Sequence, residues 1–332
     1  TIVHKLIILC IVLLAGCDQA QQVAIFGNTM GTTYSIKVIA TDIDQASLTA
    51  EIETRLREIN GLMSTYMPDS ELSRFNQSPK NEWFAVSAET VEVLEMAADI
   101  YRLSDGSFDV TVGPLVNLWG FGPNPEPDQV PGAKQVTETL ETIGFEHLQI
   151  RADALRKDVD LYVDLSAIAK GYAVDQLAGL LDGHEIQHYL VEIGGELRSK
   201  GANAQQQPWR VAVELPESNQ RMPYRIVELM DMGMATSGDY RNYFERNGVR
   251  YSHTIDPATG YPIHHKLASV TVLAPSAALA DGLATAINVM GADRGLALAE
   301  AQGFAVFVIL KHDTGFEAQY STAFGPYLKA EG

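Results

Sequence analysis

Both cysteines of this 332-residue chain, Cys10 and Cys17, lie near its start, and none follows. Everything after Cys17 must therefore fold without a disulfide, a zinc–thiolate site or an iron–sulfur cluster, and a catalytic cysteine is excluded. Stability has to come from apolar burial. The composition supports it, with 46% hydrophobic and 20% charged residues, a balance too apolar for disorder. The length allows one large or two medium domains. A formal net charge of −18 argues against a nucleic-acid partner, which needs clustered Lys and Arg. It leaves a nucleotide ligand open, because a metal ion and helix N-termini hold phosphates without a basic surface.

The cysteines belong to a leader-like stretch. His4 and Lys5 precede an apolar run from Leu6 to Leu14 that closes on Ala15, Gly16 and Cys17. A basic start, then roughly 7–15 apolar residues, then small residues is the pattern of a secretory signal. It is too short to span a bilayer, which takes about 20 apolar residues. Leu14-Ala15-Gly16-Cys17 resembles the lipobox of bacterial lipoproteins, whose cysteine carries the lipid; a plain cleaved signal is the alternative. Asp18 resembles the inner-membrane retention signal of Gram-negative lipoproteins. The expected organisation is a signal over 1–16, a short tether over 17–25 and one domain over 26–325. Its expected place is the periplasmic face of the inner membrane, lipid-anchored through Cys17.

Residues 23–39 read as extended segments around a Gly-rich turn. In 44–64, Leu48, Ile52, Leu56, Ile59 and Met63 recur at helical spacing. Ser87 reads as the N-cap of a helix reaching residue 101, with Val91, Leu94, Ala98 and Tyr101 on one face. The Gly- and Pro-rich stretch 113–131 reads as a loop. Further helices are expected over 167–181 and 277–290. Strands are expected over 188–193, ending at Gly194-Gly195, and over 209–214, 268–273, 304–310 and 316–320. Strands and helices mix without a βαβ rhythm, which favours α+β.

Neither G-x-G-x-x-G nor G-x-x-x-x-G-K-[ST] occurs, so a nucleotide site must be built another way. In 277–290, Leu279, Leu283, Ala286, Ile287 and Met290 fall on one face, and Asp281, Thr285 and Asn288 on the other. A carboxylate and a hydroxyl one turn apart suit Mg²⁺, although spacing alone favours an ordinary solvated face. In the run 162–172, a strand is expected to deliver Asp164 and Ser166 to a helix start, where free amides receive anions; a simple N-cap is the alternative. His253 precedes a turn at Asp256-Pro257-Ala258-Thr259-Gly260 and could act as a general base, or be structural. The His264-His265 doublet reads as solvated loop. Ala235-Thr236-Ser237-Gly238-Asp239-Tyr240 offers hydroxyls for a phosphate or ribose, or forms a turn. Phe108, in the turn Asp105-Gly106-Ser107-Phe108-Asp109, is free to stack on a planar ring or to fill the core.

Together these strings resemble the ApbE-type FAD:protein FMN transferases, from about Phe26 to Phe324. The ordered motifs are Gly27-Asn28-Thr29-Met30-Gly31-Thr32-Thr33-Tyr34, Ser64-Thr65-Tyr66 and Ser73-Arg74-Phe75-Asn76. They continue through Phe108-Asp109-Val110-Thr111-Val112-Gly113-Pro114, Val163-Asp164-Leu165-Ser166, Gly194-Gly195-Glu196, Ala235-Thr236-Ser237-Gly238 and His253-Thr254-Ile255-Asp256-Pro257, to the Asp281/Thr285 helix. The resemblance implies a T-fold-like α+β architecture. It implies FAD contacts at Met30, Tyr66, Phe108, Asp109, Val110, Asp164, Lys170 and Ile255; Lys170 stands where the family often has Glu. It implies Mg²⁺ ligands at Asp281, Thr285 and the carbonyl of Ala167, and it makes His253 the first candidate for the base.

The activity so implied is Mg²⁺-dependent transfer of FMN from FAD to a Thr or Ser hydroxyl of another protein, with release of AMP. The family's acceptors are subunits of Na⁺-pumping NADH:quinone reductases and Rnf-type complexes, bearing a D-G-x-T-[ST]-[AT]-type string that this chain lacks. Two alternatives stay open: an FAD pyrophosphatase giving FMN and AMP, and a non-catalytic periplasmic flavin-binding lipoprotein.

Overall fold

The computed structural model describes residues 20–122, 130–217, 222–238, 243–246 and 249–328. The leader-like stretch and Cys17 lie outside these residues. The described chain opens on a hairpin of β1 (Gln21–Thr29) and β2 (Thr32–Ala40). Its turn runs through Met30 and Gly31 at φ 48° and 72°. Two successive left-handed residues give the tight turn whose twist matches the strands it joins. Because β1 starts at Gln21 and Ile25 is buried, residues 21–25 belong to the folded domain, which corrects the expected tether.

Six more strands complete one sheet: β3 (Tyr189–Ile193), β4 (Glu196–Lys200), β5 (Gly233–Ser237), β6 (Leu267–Ala274), β7 (Ala305–His312) and β8 (Gly315–Tyr320). Spatial order follows chain order from β1 to β8, and every neighbouring pair is antiparallel. The α+β expectation holds.

The helices are α1 (Gln45–Met63), α2 (Glu71–Gln77), α3 (Ala88–Leu103), α4 (Gly113–Leu118), α5 (Ala133–Leu140), α6 (Ala169–Gly183), α7 (Ala277–Met290) and α8 (Ala292–Gln302). The Asp44 side chain caps α1, and the five apolar residues at helical spacing are all buried. Ser87 caps α3 by accepting from the Thr90 amide, but the buried face centres on Val91, Leu94, Ala97 and Ile100 instead of Ala98 and Tyr101. The loop expected over 113–131 is corrected in its first part. Pro114 sits in the first turn of α4, where a missing N–H costs nothing.

Helices α6 and α7 lie on the sheet and against each other, with α1 packed on α6 and α3 on α7. This encloses α7 almost completely. Leu283, Ala286 and Ile287 are buried, and so are Asp281 and Asn288. The solvated polar face is therefore overturned: α7 is a central helix. On β6, Val270, Val272 and Ala274 join the helix-side core, while Leu273 joins Trp209, Val227, Phe307 and Phe324 on the opposite face. A ribbon of Trp209–Glu214 and Pro223–Leu229 covers that second face. Covered on both sides, β6 is buried along its whole length, as its near-continuous apolar run requires. Among the described residues no helix is long and apolar enough to cross a membrane.

Candidate active site

A cavity of about 440 Å³ opens between α4, α6, α7 and the end of β5, lined by Asp109, Asp164, Lys170, His253, Asp281 and Thr285 among others. Ala167, Phe108 and Ile255 also border it. A second cavity of about 610 Å³, bordered by Met30 and Met67, shares Tyr66, Ser166 and Lys170 with the first. The two form one cleft. Of the residues expected to hold a nucleotide or a metal, only Val110 lines neither half. The β1–β2 turn brings Met30 to the cleft in a left-handed conformation that is uncommon for a non-glycine residue. Tyr66 stands beside it, 67% exposed.

Asp281 is buried at the wall of the cleft and faces both an amide and an ammonium. It comes from the middle of α7, is 5% exposed, and accepts a hydrogen bond from the Gly171 amide of α6 at 3.1 Å. Its Oδ2 lies 3.8 Å from Lys170 Nζ, which in turn lies 2.9 Å from Glu196 Oε1. Burial pushes the Asp281 carboxyl up to about 7, and Glu196 adds to this, against the opposing pull of Lys170. Burial also raises the Glu196 pKa, with Lys170 opposing it. For Lys170 burial works against the charge, but the two carboxylates outweigh it and raise its pKa. Two buried carboxylates thus share one ammonium, and Glu196 Oε2 is buried without a hydrogen-bond partner.

This arrangement fits a hard divalent cation. Asp281, Thr285 and Ala167 line the same cavity, a carboxylate, a hydroxyl and a backbone carbonyl are the oxygen donors Mg²⁺ prefers, and a single ammonium faces two buried carboxylates. No group of three or more His, Cys, Asp or Glu side chains suited to a metal comes together among the described residues. A site here would use one carboxylate, a hydroxyl and a backbone carbonyl, leaving positions for substrate oxygens. Nothing in the sequence couples Glu196 to this site. It sits 26 positions from Lys170, in a strand instead of a helix, and no spacing rule couples the two.

The segment before α6 is extended, but it is not the strand expected. Asn76 takes the place of a strand partner: its Nδ2 donates to the Val163 carbonyl and its Oδ1 accepts from the Val163 amide, both at 2.8 Å. The Asp164 amide donates to the Val110 carbonyl at 2.7 Å, and Asp164 Oδ1 accepts from the Ser166 amide at 2.9 Å. Val110 therefore holds Asp164 in place while its own side chain is buried in the core. Phe108, 1% exposed, belongs to the helix-side core, so of its two readings the core one applies to most of its ring. Asp109 accepts from the Thr111 amide and hydroxyl at 2.8 and 2.7 Å. Burial pushes its carboxyl up to about 6, with the Thr111 bonds opposing.

The His253 ring meets Phe121 edge-on at 6.3 Å between centroids. Phe121 stacks on Phe244 and Phe244 on Tyr251, so an aromatic column braces the imidazole. Ile255 is buried and bridges to Pro262, closing the turn read from Asp256-Pro257. Thr236 and Ser237 end β5 at the cavity with Gly238; Asp239 and Tyr240 lie outside the described residues. His264 and His265 are both exposed in a loop, as the sequence reads them, and His265 Nε2 lies 2.8 Å from the Asn288 backbone carbonyl.

Residues 30–308 match the ApbE family. A FAD:protein FMN transferase of Vibrio cholerae is 52% identical over 322 residues, covering 96% of this chain and 96% of the relative. One from Escherichia coli K12 is 40% identical over 331 residues, covering 95% and 94%. Among solved structures, the flavin transferase ApbE from Vibrio cholerae aligns with a TM-score of 0.87 at 51% identity, over 93% of this chain and 100% of that one. The apo flavinyl transferase ApbE of Pseudomonas stutzeri aligns with a TM-score of 0.88 at 42% identity, over 95% and 99%.

Proposed function

The chain belongs to the ApbE family, and on that footing we propose that it moves the FMN half of FAD onto a Thr or Ser hydroxyl of an acceptor protein, releasing AMP. One observation carries the reading: Asp281, Thr285 and Ala167 border the same cavity as His253, so candidate metal ligands and a candidate base serve one reaction centre. Asp281, Thr285 and the Ala167 carbonyl would hold Mg²⁺, which would supply positive charge to offset the charge developing on phosphate oxygens. Lys170, held by Glu196, presents its ammonium where the two halves of the cleft meet, placed for phosphate oxygens. Met30 and Tyr66 offer an apolar wall and an aromatic face to a planar ring. In the transfer, the acceptor oxygen bonds to the FMN phosphorus as the bond from that phosphorus to the AMP oxygen breaks. His253 takes the hydroxyl proton, although a loose transition state asks little of a base.

The proposed acceptors are subunits of Na⁺-translocating NADH:quinone reductase or Rnf-type complexes. A lipid on Cys17, at the periplasmic face of the inner membrane, would raise the effective concentration of enzyme near such membrane-embedded acceptors. Loss of fatty-acid labelling in Cys17→Ser tests the anchor. For the reaction, purified protein is mixed with FAD, Mg²⁺ and a peptide bearing the acceptor string. A flavin-fluorescent peptide with stoichiometric AMP supports the transfer. Free FMN without labelled peptide identifies a hydrolase, and intact FAD identifies a carrier.

A further inference from the structure

Asn288 is fully buried in the last turn of α7, on the helix face that also carries Asp281 and Thr285. It touches both ends of the loop that follows His253. At the entry, its Nδ2 donates to Thr254 Oγ1 at 3.4 Å. At the exit, its backbone carbonyl accepts from His265 Nε2 at 2.8 Å. A carbonyl only accepts, so His265 carries its proton on Nε2, and an imidazole N–H beside the C-terminus of a helix is favourably placed. Between these anchors the loop is closed on itself: the Ile263 amide donates to the Thr254 carbonyl at 3.0 Å, the Asp256 amide to Tyr261 at 2.9 Å, and Ile255 bridges to Pro262. Thr254 is further set by its amide, which donates to Ser252 Oγ at 3.1 Å.

A residue at 288 that served packing alone would be apolar. Its neighbours Ala284 and Ile287 are buried alanine and isoleucine, and Asn288 leaves its Oδ1 without a hydrogen-bond partner. The amide is retained at a desolvation cost, and the one thing its side chain grips is the hydroxyl next to His253. We propose that Asn288 is a positioning residue that locks the His253 loop to the helix bearing Asp281 and Thr285, so that proton acceptor and candidate metal ligands keep one fixed separation. The inference rests on the reading of His253 as the base in FMN transfer. Positioning of this kind matters because a displacement of about 1 Å in a reacting group can cost orders of magnitude in rate.

The test uses Thr254→Val, which removes the hydroxyl at constant shape, Thr254→Ser, which keeps it, and Asn288→Leu, which keeps the branched outline of the side chain without its polar atoms. Thr254→Val and Asn288→Leu should each lose about tenfold in kcat with KM for FAD unchanged, and Thr254→Ser should recover the rate. A readout without turnover is the His253 ring resonance, assigned by its disappearance in His253→Ala. It should shift in Thr254→Val and keep its wild-type position in Thr254→Ser. Full activity in Thr254→Val, equal losses in the Val and Ser variants, or a loss confined to KM overturns the clamp, as does an unmoved resonance. Should the resonances follow the expected pattern while wild type labels no acceptor, the transferase reading falls and the clamp stands.

Discussion

Gly171 and Asp281 are joined across two helices at a distance that admits no side chain on the first. The Gly171 amide donates to Asp281 Oδ2 at 3.1 Å, and a Cβ on Gly171 would lie 2.4 Å from the Ala277 carbonyl oxygen. The close approach of α6 to α7 is what brings an N–H of one helix to a buried carboxylate of the other.

Gly171→Ala therefore sets two effects against each other. Alanine in a helix interior ordinarily gains up to about 1 kcal/mol over glycine. Here the obstacle is backbone on a neighbouring helix, which cannot swing aside, and overpacking of this kind costs about 1–3 kcal/mol. The steric term should win. The variant should melt lower than wild type and transfer flavin more slowly, because separating the helices lengthens the bond to Asp281. A thermal melt higher than wild type would show that the two helices are not in contact through this glycine.

Asp281→Ala removes the carboxylate proposed to hold the metal. Its Lys170 neighbour keeps Glu196 as partner, so the variant should fold. Ligands that bind the native state raise the melting temperature by mass action. Added Mg²⁺ should thus stabilise wild type and leave Asp281→Ala unmoved, and chelation should stop acceptor labelling by wild type. Equal Mg²⁺ stabilisation of both proteins, or labelling by Asp281→Ala at the wild-type rate, would remove the metal assignment.

Asp109 gives a pH dependence whose sign follows from burial. Its carboxyl is pushed from 3.8 up to about 6 in the folded chain, so the native state binds a proton that the unfolded chain lacks between those values. Stability from this group rises as pH falls through 6 and levels off below about 4, by up to about 3 kcal/mol. Asp109→Asn keeps an oxygen acceptor for Thr111 and removes the charge. It should melt higher than wild type at pH 7.5, and the gap should close below about pH 4. A constant gap across the range would show that the carboxylate is not desolvated.

How much of this was legible beforehand depended on whether a contact is local. The bounds of α7 follow from its periodicity, and the structure adds the cap, Ser276 accepting from the Leu279 amide. The pairing of Asp281 with Thr285 was readable from helical spacing, but its burial was not, because the sheet and three other helices enclose α7 only in three dimensions. For the same reason a solvated polar face was expected where Asn288 is fully buried. Asn76 bonding both backbone groups of Val163 across 87 positions left no trace in any pattern, so that segment read as a strand. Pro114 reads as a loop signal in the sequence although proline also starts helices, and the six-residue α4 is too short to show a period.

His253→Ala is the prediction that bears most directly on the chemistry. The imidazole lines the cavity with Asp281 and Thr285 and is braced by Phe121, which in turn stacks on Phe244. The ring is thus oriented by packing, and its removal leaves the cleft-lining residues Met30, Tyr66 and Asp164 in place. A general base contributes about 10²–10⁴-fold to a proton transfer, and less where the transition state is loose. The loss should therefore fall on kcat, with affinity for FAD nearly unchanged. Steady-state labelling of an acceptor peptide, read beside FAD binding by fluorescence, separates the two. If the variant instead keeps kcat and loses FAD affinity, His253 is a binding residue and the proton goes elsewhere. Asp164 is then the next carboxylate to replace, because it borders the same cavity and its amide is anchored on Val110.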